Sequence, residues 1–318
     1  MTQPHHSAQR YTFGPVPSRR LGRSLGVDLV PLKTCSYDCL YCQLGRTTCK
    51  TAERRPWVPT DAVLEELDHV LPPRGAASGL DYVTFSGSGE PTLHSDAGRI
   101  IEFIKHRTDV PVAVLTNGSL LWRDEVRAEL DDADLVVPSL DAGNAPMFRA
   151  MNRPTDEIGF DRMMGGLEAF TRDFDGQVWL EVFLLDGYNA DDDEVRAIAD
   201  AARRVAPDRV QLNTACRPAA EPFARAVPAE TLEELSCRFQ PPAEVIAARL
   251  EAPGPPRFDA GCEEILNMLR RRPCSVADIA AASRRHRNEV VKYLQQLQAE
   301  GRVTASRSGT VTYYAARG

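Results

Sequence analysis

The sequence predicts an α/β fold with a small mixed helical and β unit at its C-terminal end. Two observations predict the first part. Short β-branched apolar runs alternate with amphipathic stretches of helical period, and the chain's conspicuous polar motifs each follow one of those runs. The order of elements after residue 258 predicts the second part.

Residues 24–30 read as the first strand, which runs directly into the loop KTCSYDCLYCQLG. Residues 60–71 (TDAVLEELDHVL) form an amphipathic helix with a Thr/Asp start and a Pro-Pro stop. Strand 81–86 and helix 96–106 follow, then strand 111–115 and helix 123–130, then strand 134–139 and helix 160–170. Strand 178–185, helix 191–205 and strand 209–213 complete the series. Six strands with intervening helices fit an incomplete barrel, since an eight-unit barrel needs more chain. Pro241-Pro242 and the run APGPPRF mark 241–257 as a linker between a domain at 1–240 and another at 258–318. In the second domain, helices 263–271, 276–281 and 284–299 precede two β segments, 302–306 and 310–315, joined through Ser-Gly. Helix, helix-turn-helix and hairpin in that order make a winged helix.

The chain has 318 residues, 43% hydrophobic and 26% charged, which is ordinary globular composition. Its formal charge of −7 disfavours a wholesale polyanion binder. The longest apolar stretches, such as 178–185, are strand-length and fall short of a membrane helix. The N-terminus MTQPHHSAQR has no apolar core of a secretory signal, so the expected address is the cytoplasm. Residues 258–318 carry ten Lys+Arg against six Asp+Glu, a net of +4, which leaves −11 on the rest. Arg284, Arg285, Arg287 and Lys292 fall on the predicted recognition helix, where phosphate contacts are expected. Winged helices also dock proteins, so both kinds of partner stay open.

Three of the eight cysteines, Cys35, Cys39 and Cys42, lie within eight residues. A secreted disulfide scaffold would be denser in cysteine, and three thiols cannot pair among themselves. Clustered thiolates on a short loop read as metal ligands. No CxxC or HxxxH partner supplies a fourth ligand for structural zinc, whereas a cubane iron–sulfur cluster on three cysteines keeps one iron open.

C-x3-C-x2-C resembles the signature loop of the radical SAM superfamily, and the chain is similar to that family from about residue 11 to 214. The resemblance implies a partial (β/α)6 TIM-like barrel and a [4Fe-4S] cluster on Cys35, Cys39 and Cys42. Its open iron would chelate S-adenosyl-L-methionine (SAM), with Tyr41 beside the adenine. Gly87-Ser88-Gly89-Glu90-Pro91-Thr92 resembles the family's Gly-Gly-Glu-Pro segment. There the missing side chains admit the methionine end of the ligand, and Glu90 is suited to its ammonium; the plain alternative is a Pro-terminated turn with a solvated Glu. Asn117 offers a donor and an acceptor, or is a turn residue. Ser139 and Asp141 match a strand-end motif near the ribose and substrate, and Asp141 reads equally as a helix N-cap.

The segment FGPVPSRRLGRSLGVD resembles the branch related to wyosine-forming tRNA enzymes. Arg19, Arg20 and Arg23 there read either as a clamp on an anion at the barrel mouth or as a turn at the opposite end. Arg153 is placed to reach substrate or to be an exposed loop residue. The chain has four lysines, Lys33, Lys50, Lys105 and Lys292, and Lys33 is the candidate for an imine of the kind that branch uses. Cys216, Cys237 and Cys262 are either buried structural thiols or ligands of a second cluster.

Together these readings imply an enzyme in which the reduced cluster splits SAM to methionine and a 5′-deoxyadenosyl radical that abstracts hydrogen from substrate. RNA-related modification stands ahead of peptide or protein modification. A ferredoxin or flavodoxin-type reductant is implied. The non-enzymatic alternatives are an Fe–S-sensing winged-helix transcription regulator and a zinc-stabilised scaffold.

Overall fold

The computed structural model describes residues 11–18, 20–215, 220–221, 223–246, 259–271, 273–283, 285–308 and 311–317. Strand β1 (Thr12–Ser18) and strand β2 (Gly22–Val27) form an antiparallel hairpin, followed by the two-residue strands β3 (Thr34–Cys35) and β4 (Cys49–Lys50). Helix α1 (Thr60–Val70) leads to β5 (Tyr82–Phe85), α2 (Ala97–Arg107), β6 (Val112–Thr116), α3 (Asp124–Leu130) and β7 (Leu135–Pro138). Then come α4 (Ala145–Asn152), α5 (Phe160–Asp173), β8 (Gln177–Leu184), α6 (Asp192–Val205), β9 (Arg209–Thr214), α7 (Ala229–Ser236) and β10 (Glu244–Val245).

One sheet runs in the order β1-β2-β5-β6-β7-β8-β9-β10, with every neighbour pair parallel except β1–β2. The six parallel strands of the sequence reading, β2 and β5 to β9, are present in the expected order. Side chains alternate across each strand. Val112 and Val114 of β6, and Val178, Leu180 and Val182 of β8, join the large core under the helices. Ala113, Leu135, Val137 and Trp179 join Leu21 on the other, inner face. Among the described residues, no helix is long and apolar enough to cross a membrane.

Hairpin strand β1 was not expected from the sequence. Two prolines in TFGPVPS read as loop, but an edge strand tolerates residues without an N–H. Gly14, at φ +104°, breaks the register between Phe13 and Val16. Helices α4 and α7 were also missed; α4 starts at Asn144, whose side chain accepts from Met147 N with a proline in the first turn. The expected linker at 241–257 is partly structure: β10 pairs with β9, and Ile246 is buried. Residues 247–257 lie outside the described residues.

The β1–β2 turn stands at the N-terminal ends of the parallel strands, opposite the cysteine loop, so the arginines there do not line the loop end. Arg23 lies against Gly79 on an exposed edge, and Arg19 is outside the described residues. Arg20 instead reaches the inner face and donates to Glu181 Oε1 at 2.6 Å, an oxygen that also accepts from Asn213 Nδ2 at 2.8 Å. Both partners are largely buried.

The C-terminal unit contains α8 (Asp259–Arg271), β11 (Cys274–Ser275), α9 (Val276–Ser283), α10 (Arg287–Ala299), β12 (Val303–Ser308) and β13 (Val311–Ala316). Its antiparallel sheet has the order β11-β13-β12. Ile265, Leu269, Ile279, Val290, Leu294 and Leu297 form a core of its own.

Removing one member of a buried ion pair strands the other charge. Arg20→Ala should therefore cost about 3 kcal/mol in chemical denaturation. Adding Glu181→Gln to that variant should recover part of the loss.

Candidate functional site

Strands β3 and β4 pair in parallel, closing residues 36–48 into one excursion above the sheet. Backbone bonds Asp38 N to Asn152 O and Leu40 N to Met151 O, both 3.0 Å, tie this loop to the end of α4. Arg153, the α4 C-cap at φ +45°, donates to Glu221 at 2.8 Å and lies 3.5 Å from Asp38. It braces the cysteine loop rather than standing free for substrate. Lys50 donates to the carbonyls of Arg153 and Pro154.

The three thiols are half-buried and form no disulfide. Each meets a nitrogen donor. Lys33 Nζ lies 2.9 Å from Cys42 Sγ, Asn117 Nδ2 lies 3.5 Å from Cys35 Sγ, and Asn152 Nδ2 lies 3.5 Å from Cys39 Sγ. Burial, reinforced by Glu90, pushes the Cys35 thiol up to about 12, and burial raises Cys39 well above the usual thiol range. Without a cation such thiols stay protonated; metal coordination reverses that preference. Cys49 registers with Thr34 rather than with Cys35, so the strand pleat turns its side chain to the opposite face.

Glycines 87 and 89 have a packing reason that the sequence reading did not assign. A Cβ on Gly89 would fall 1.7 Å from the Thr34 carbonyl oxygen, and one on Gly87 would fall 2.5 Å from Asp28 Cγ. The glycine loop is thereby laid against the cysteine loop through Lys33 N to Ser88 O (2.7 Å) and Glu90 N to Thr34 O (3.1 Å). The space beside both glycines is filled by protein. Ser88 donates through N (2.9 Å) and Oγ (2.5 Å) to the buried carboxylate of Asp28.

Glu90 is 2% exposed, so the solvated-turn alternative does not hold. Its Oε1 accepts from Thr92 N, Thr92 Oγ1 and Thr116 Oγ1, and its Oε2 accepts from Asn117 N at 2.7 Å. Burial raises its pKa above the usual carboxylate value, and those donors oppose the rise. Asn117 bridges onward, with Nδ2 donating to Ser36 Oγ at 2.8 Å and Oδ1 accepting from Ser119 N.

Asp141 is no helix N-cap; Asn144 takes that position. Its carboxylate accepts from Tyr41 OH, from Asn152 Nδ2 (2.7 Å) and from Phe183 N (2.9 Å). Tyr41 stacks on Phe183 with centroids 3.9 Å apart. Ser139 is half-buried at the end of β7, bridged to Glu181. Burial raises the Asp141 carboxyl to about 6 against three opposing hydrogen bonds.

Cys35, Cys39, Cys42, Lys33, Glu90 and Asn117 are thus brought together, with Tyr41 and Asp141 adjoining through Asn152. The scattered cysteines are not: Cys237 is exposed after α7, Cys262 is buried in the C-terminal core, and Cys216 lies outside the described residues. Asp28, Asn152 and His286 were missed. Asp28 carries the one usable signal, a lone acid ending an apolar strand. Asn152 and His286 sit on elements whose docking the sequence does not reveal. His286 caps α10 and places Nε2 3.1 Å from Asp28 Oδ2.

A parallel α/β sheet bearing a three-cysteine loop beyond its strand ends defines a cluster-binding class of α/β protein. Residues 29–200 match the Radical SAM superfamily, and the chain belongs to it. That superfamily uses a [4Fe-4S] cluster and SAM, and membership supports an enzyme. A protein of Brachyspira hyodysenteriae named GTPase Obg is 40% identical over 95% of this chain, which spans only 45% of its length. A UPF0026 protein of Methanocaldococcus jannaschii is 34% identical over 71% of this chain and 70% of its own. Among solved structures, TYW1 with a lysine-pyruvate adduct bound has a TM-score of 0.51 at 17% identity, covering 73% of this chain and 76% of that one. That likeness is one of fold.

The raised value makes the fold prefer protonated Asp141. The stability this contributes is full below about pH 4 and is lost as pH climbs through about 6. Asp141→Asn removes the window. The wild-type thermal midpoint minus the variant's, in cluster-free protein, should therefore fall by about 5 °C between about pH 4 and pH 7.

Proposed function

We propose that this chain is a radical SAM enzyme whose cluster ligands are Cys35, Cys39 and Cys42. Its SAM site would be built from Tyr41, the loop Gly87, Ser88, Gly89 and Glu90, and Asn117, Ser139 and Asp141. The observation that carries this is the donor set. Three thiols on one closed loop each meet an N–H donor, and the neighbouring Cys49 faces away. Among the described residues, no three or more His, Cys, Asp or Glu side chains gather as ligands of a single ion. Thiols that bind separate irons of a cubane need no such convergence.

Held by Cys35, Cys39 and Cys42, a reduced [4Fe-4S] cluster would supply the single electron for cleavage of the sulfonium of SAM to methionine and a hydrogen-abstracting 5′-deoxyadenosyl radical. The chain's own residues hold and tune. Lys33, Asn117 and Asn152 donate to the sulfurs and so favour the more negative, reduced state. Glu90 locks the turn after β6 at Asn117 to the glycine loop and keeps acceptor capacity on Oε2 for an ammonium. Asp141, held by Tyr41 and Asn152, presents a carboxylate to hydroxyl groups. We read Lys33 as this sulfur donor rather than as an imine-forming amine, because its ammonium is already engaged at Cys42.

We further read residues 258–318 as a winged helix joined to a partial (β/α)6 barrel, and a ferredoxin or flavodoxin-type protein as the reductant. The regulator reading needs α10 free to enter DNA. Asn288, Lys292 and Gln295 of that helix instead line a cavity against the sheet, which favours the enzyme. RNA-related and peptide substrates are the macromolecular options.

Anaerobically reconstituted protein with SAM and dithionite should hold about four irons per chain and form 5′-deoxyadenosine. Cys39→Ala should lose both, and Cys49→Ala should keep both. Intact SAM on fully loaded protein would count against the reading. Lys33→Ala should shift the cluster midpoint, followed by electron paramagnetic resonance, to a more negative potential.

A further inference from the structure

The C-terminal unit meets the larger one at a histidine. His286 is the N-cap of α10, and its Nδ1 accepts from the backbone N–H of Asn288 at 3.2 Å. A ring nitrogen that accepts carries no proton, so the proton of the neutral ring sits on Nε2. That nitrogen lies 3.1 Å from Asp28 Oδ2 and donates to it. The face of the ring is used as well, stacked on Phe13 of β1 with centroids 4.9 Å apart at 15°. Phe13 in turn lies so close against Gly26 of β2 that a Cβ there would fall 2.1 Å from its ring. The edge strand β1 thus carries the seat of α10, and cap, stack and donor are three separate uses of one side chain.

Asp28 directly follows β2 and is 5% exposed. A buried carboxylate is held by the donors that converge on it. Oδ1 takes Ser88 N at 2.9 Å, and Oδ2 takes Ser88 Oγ at 2.5 Å together with His286 Nε2. Two donors therefore come from the glycine loop and one from the far end of the sequence. The Asp28 main chain is fixed by its own N–H, which donates to the Tyr11 carbonyl at 2.7 Å. What His286 restrains is the rotation of the carboxylate.

Ser88 passes this restraint on. Its carbonyl accepts from Lys33 N at 2.7 Å, and the Lys33 ammonium lies 2.9 Å from Cys42 Sγ. His286, Asp28, Ser88, Lys33 and Cys42 thus form one line of contacts from α10 to a cysteine of the signature loop, none longer than 3.1 Å. Further along α10, Val291 and Gln295 face a cavity of about 250 Å3 over the sheet. The polar link to the glycine loop is therefore made at the N-terminal end of the helix.

We propose that His286 is a positioning residue for the SAM site: the seated C-terminal unit, acting through Asp28, fixes Ser88 and with it the binding shape of the glycine loop. The role of that loop rests on the enzyme reading above, whereas the coupling from His286 to Ser88 does not. With the unit lifted, the Asp28 carboxylate loses its outer donor, turns toward water and releases the Ser88 N–H. The cysteine loop stays on the sheet, but SAM then meets a loosened glycine loop. By linkage, SAM binding and seating of the C-terminal unit favour each other by the same factor.

Three substitutions at one position separate the three uses of the ring. His286→Phe keeps the stack, His286→Asn keeps a capping side chain too short to reach Asp28, and His286→Gln keeps a donor at similar reach. The first readout is hydrogen–deuterium exchange of the reconstituted full chain without SAM. Exchange at the Ser88 amide should rise about tenfold in the first two variants and stay near the parent's in the third. The second readout is equilibrium dialysis of SAM against unreduced, cluster-loaded protein. Its dissociation constant should rise about tenfold in the same two variants, with KM for SAM rising alike, kcat little changed and iron content that of the parent. Arg302→Ala breaks ion pairs inside the C-terminal unit, controls for general loosening, and should move neither readout. Unchanged exchange in His286→Phe and His286→Asn overturns the proposal. So does a rise shared by His286→Gln or Arg302→Ala, or raised exchange with SAM affinity unaltered. A parent that binds no SAM, while Ser88 exchange still follows His286, removes the enzyme reading and leaves the coupling standing.

Discussion

The close approach of Gly89 to the Thr34 carbonyl is the constraint on which the site's geometry depends. No residue with a side chain fits there, because a Cβ would overlap the oxygen. With glycine present, the loop after β5 and the loop after β2 share two backbone hydrogen bonds. The cysteine loop would otherwise be a long polar excursion with little apolar surface to order it. Its position is inherited from strands β2 and β5, which pair over four residues inside a rigid sheet. The three thiols proposed as cluster ligands gain the precision of the sheet by this route.

Two buried carboxylates extend the same logic along the strand ends. Burying an ionised acid is costly unless donors converge on it. Glu90 collects four donors and Asp141 three, and every one comes from a different turn or strand end than the acid itself, apart from Thr92. Each acid therefore acts as a knot between consecutive βα loops. Glu90 ties the turns after β5 and β6, and Asp141 ties the turn after β7 to β8 and to Tyr41 of the cysteine loop. Asn152 completes the circuit by touching both Asp141 and Cys39. The site is a ring of short links, so a ligand bound at one link meets a frame already set.

Much of this was legible in the sequence because period and punctuation carry it. The six parallel strands and the helices between them follow from alternating apolar patterns, and C-x3-C-x2-C is a spacing with few chemical meanings. What stayed hidden depends on tertiary approach. Nothing in TFGPVPS marks an edge strand, since its prolines are tolerated only because the edge carries no further partner. Glu90 and Asp141 are identifiable as polar residues after strands, yet their burial is set by donors far away in sequence. For Arg20 the sequence left two ends of the barrel open, and the second, the turn opposite the cysteine loop, is where it stands. The turn that bears it is local, but its partner Glu181 lies across the inner face of the sheet.

Two arginines of the C-terminal unit are engaged inside it. Arg285 pairs with Glu264 and Glu289, and Arg302 pairs with Glu263 and Glu300, all within the unit. Those arginines complete local networks in a small domain with a small core, where each ordered side chain matters more than in a large one. The helix that would enter a groove of DNA turns Asn288 and Lys292 toward the sheet, while its capping His286 meets an acid of the larger unit. An acidic first unit and a basic second one attract before they touch. Where the two halves of the chain meet, a histidine of the basic unit stands against a buried acid of the acidic one.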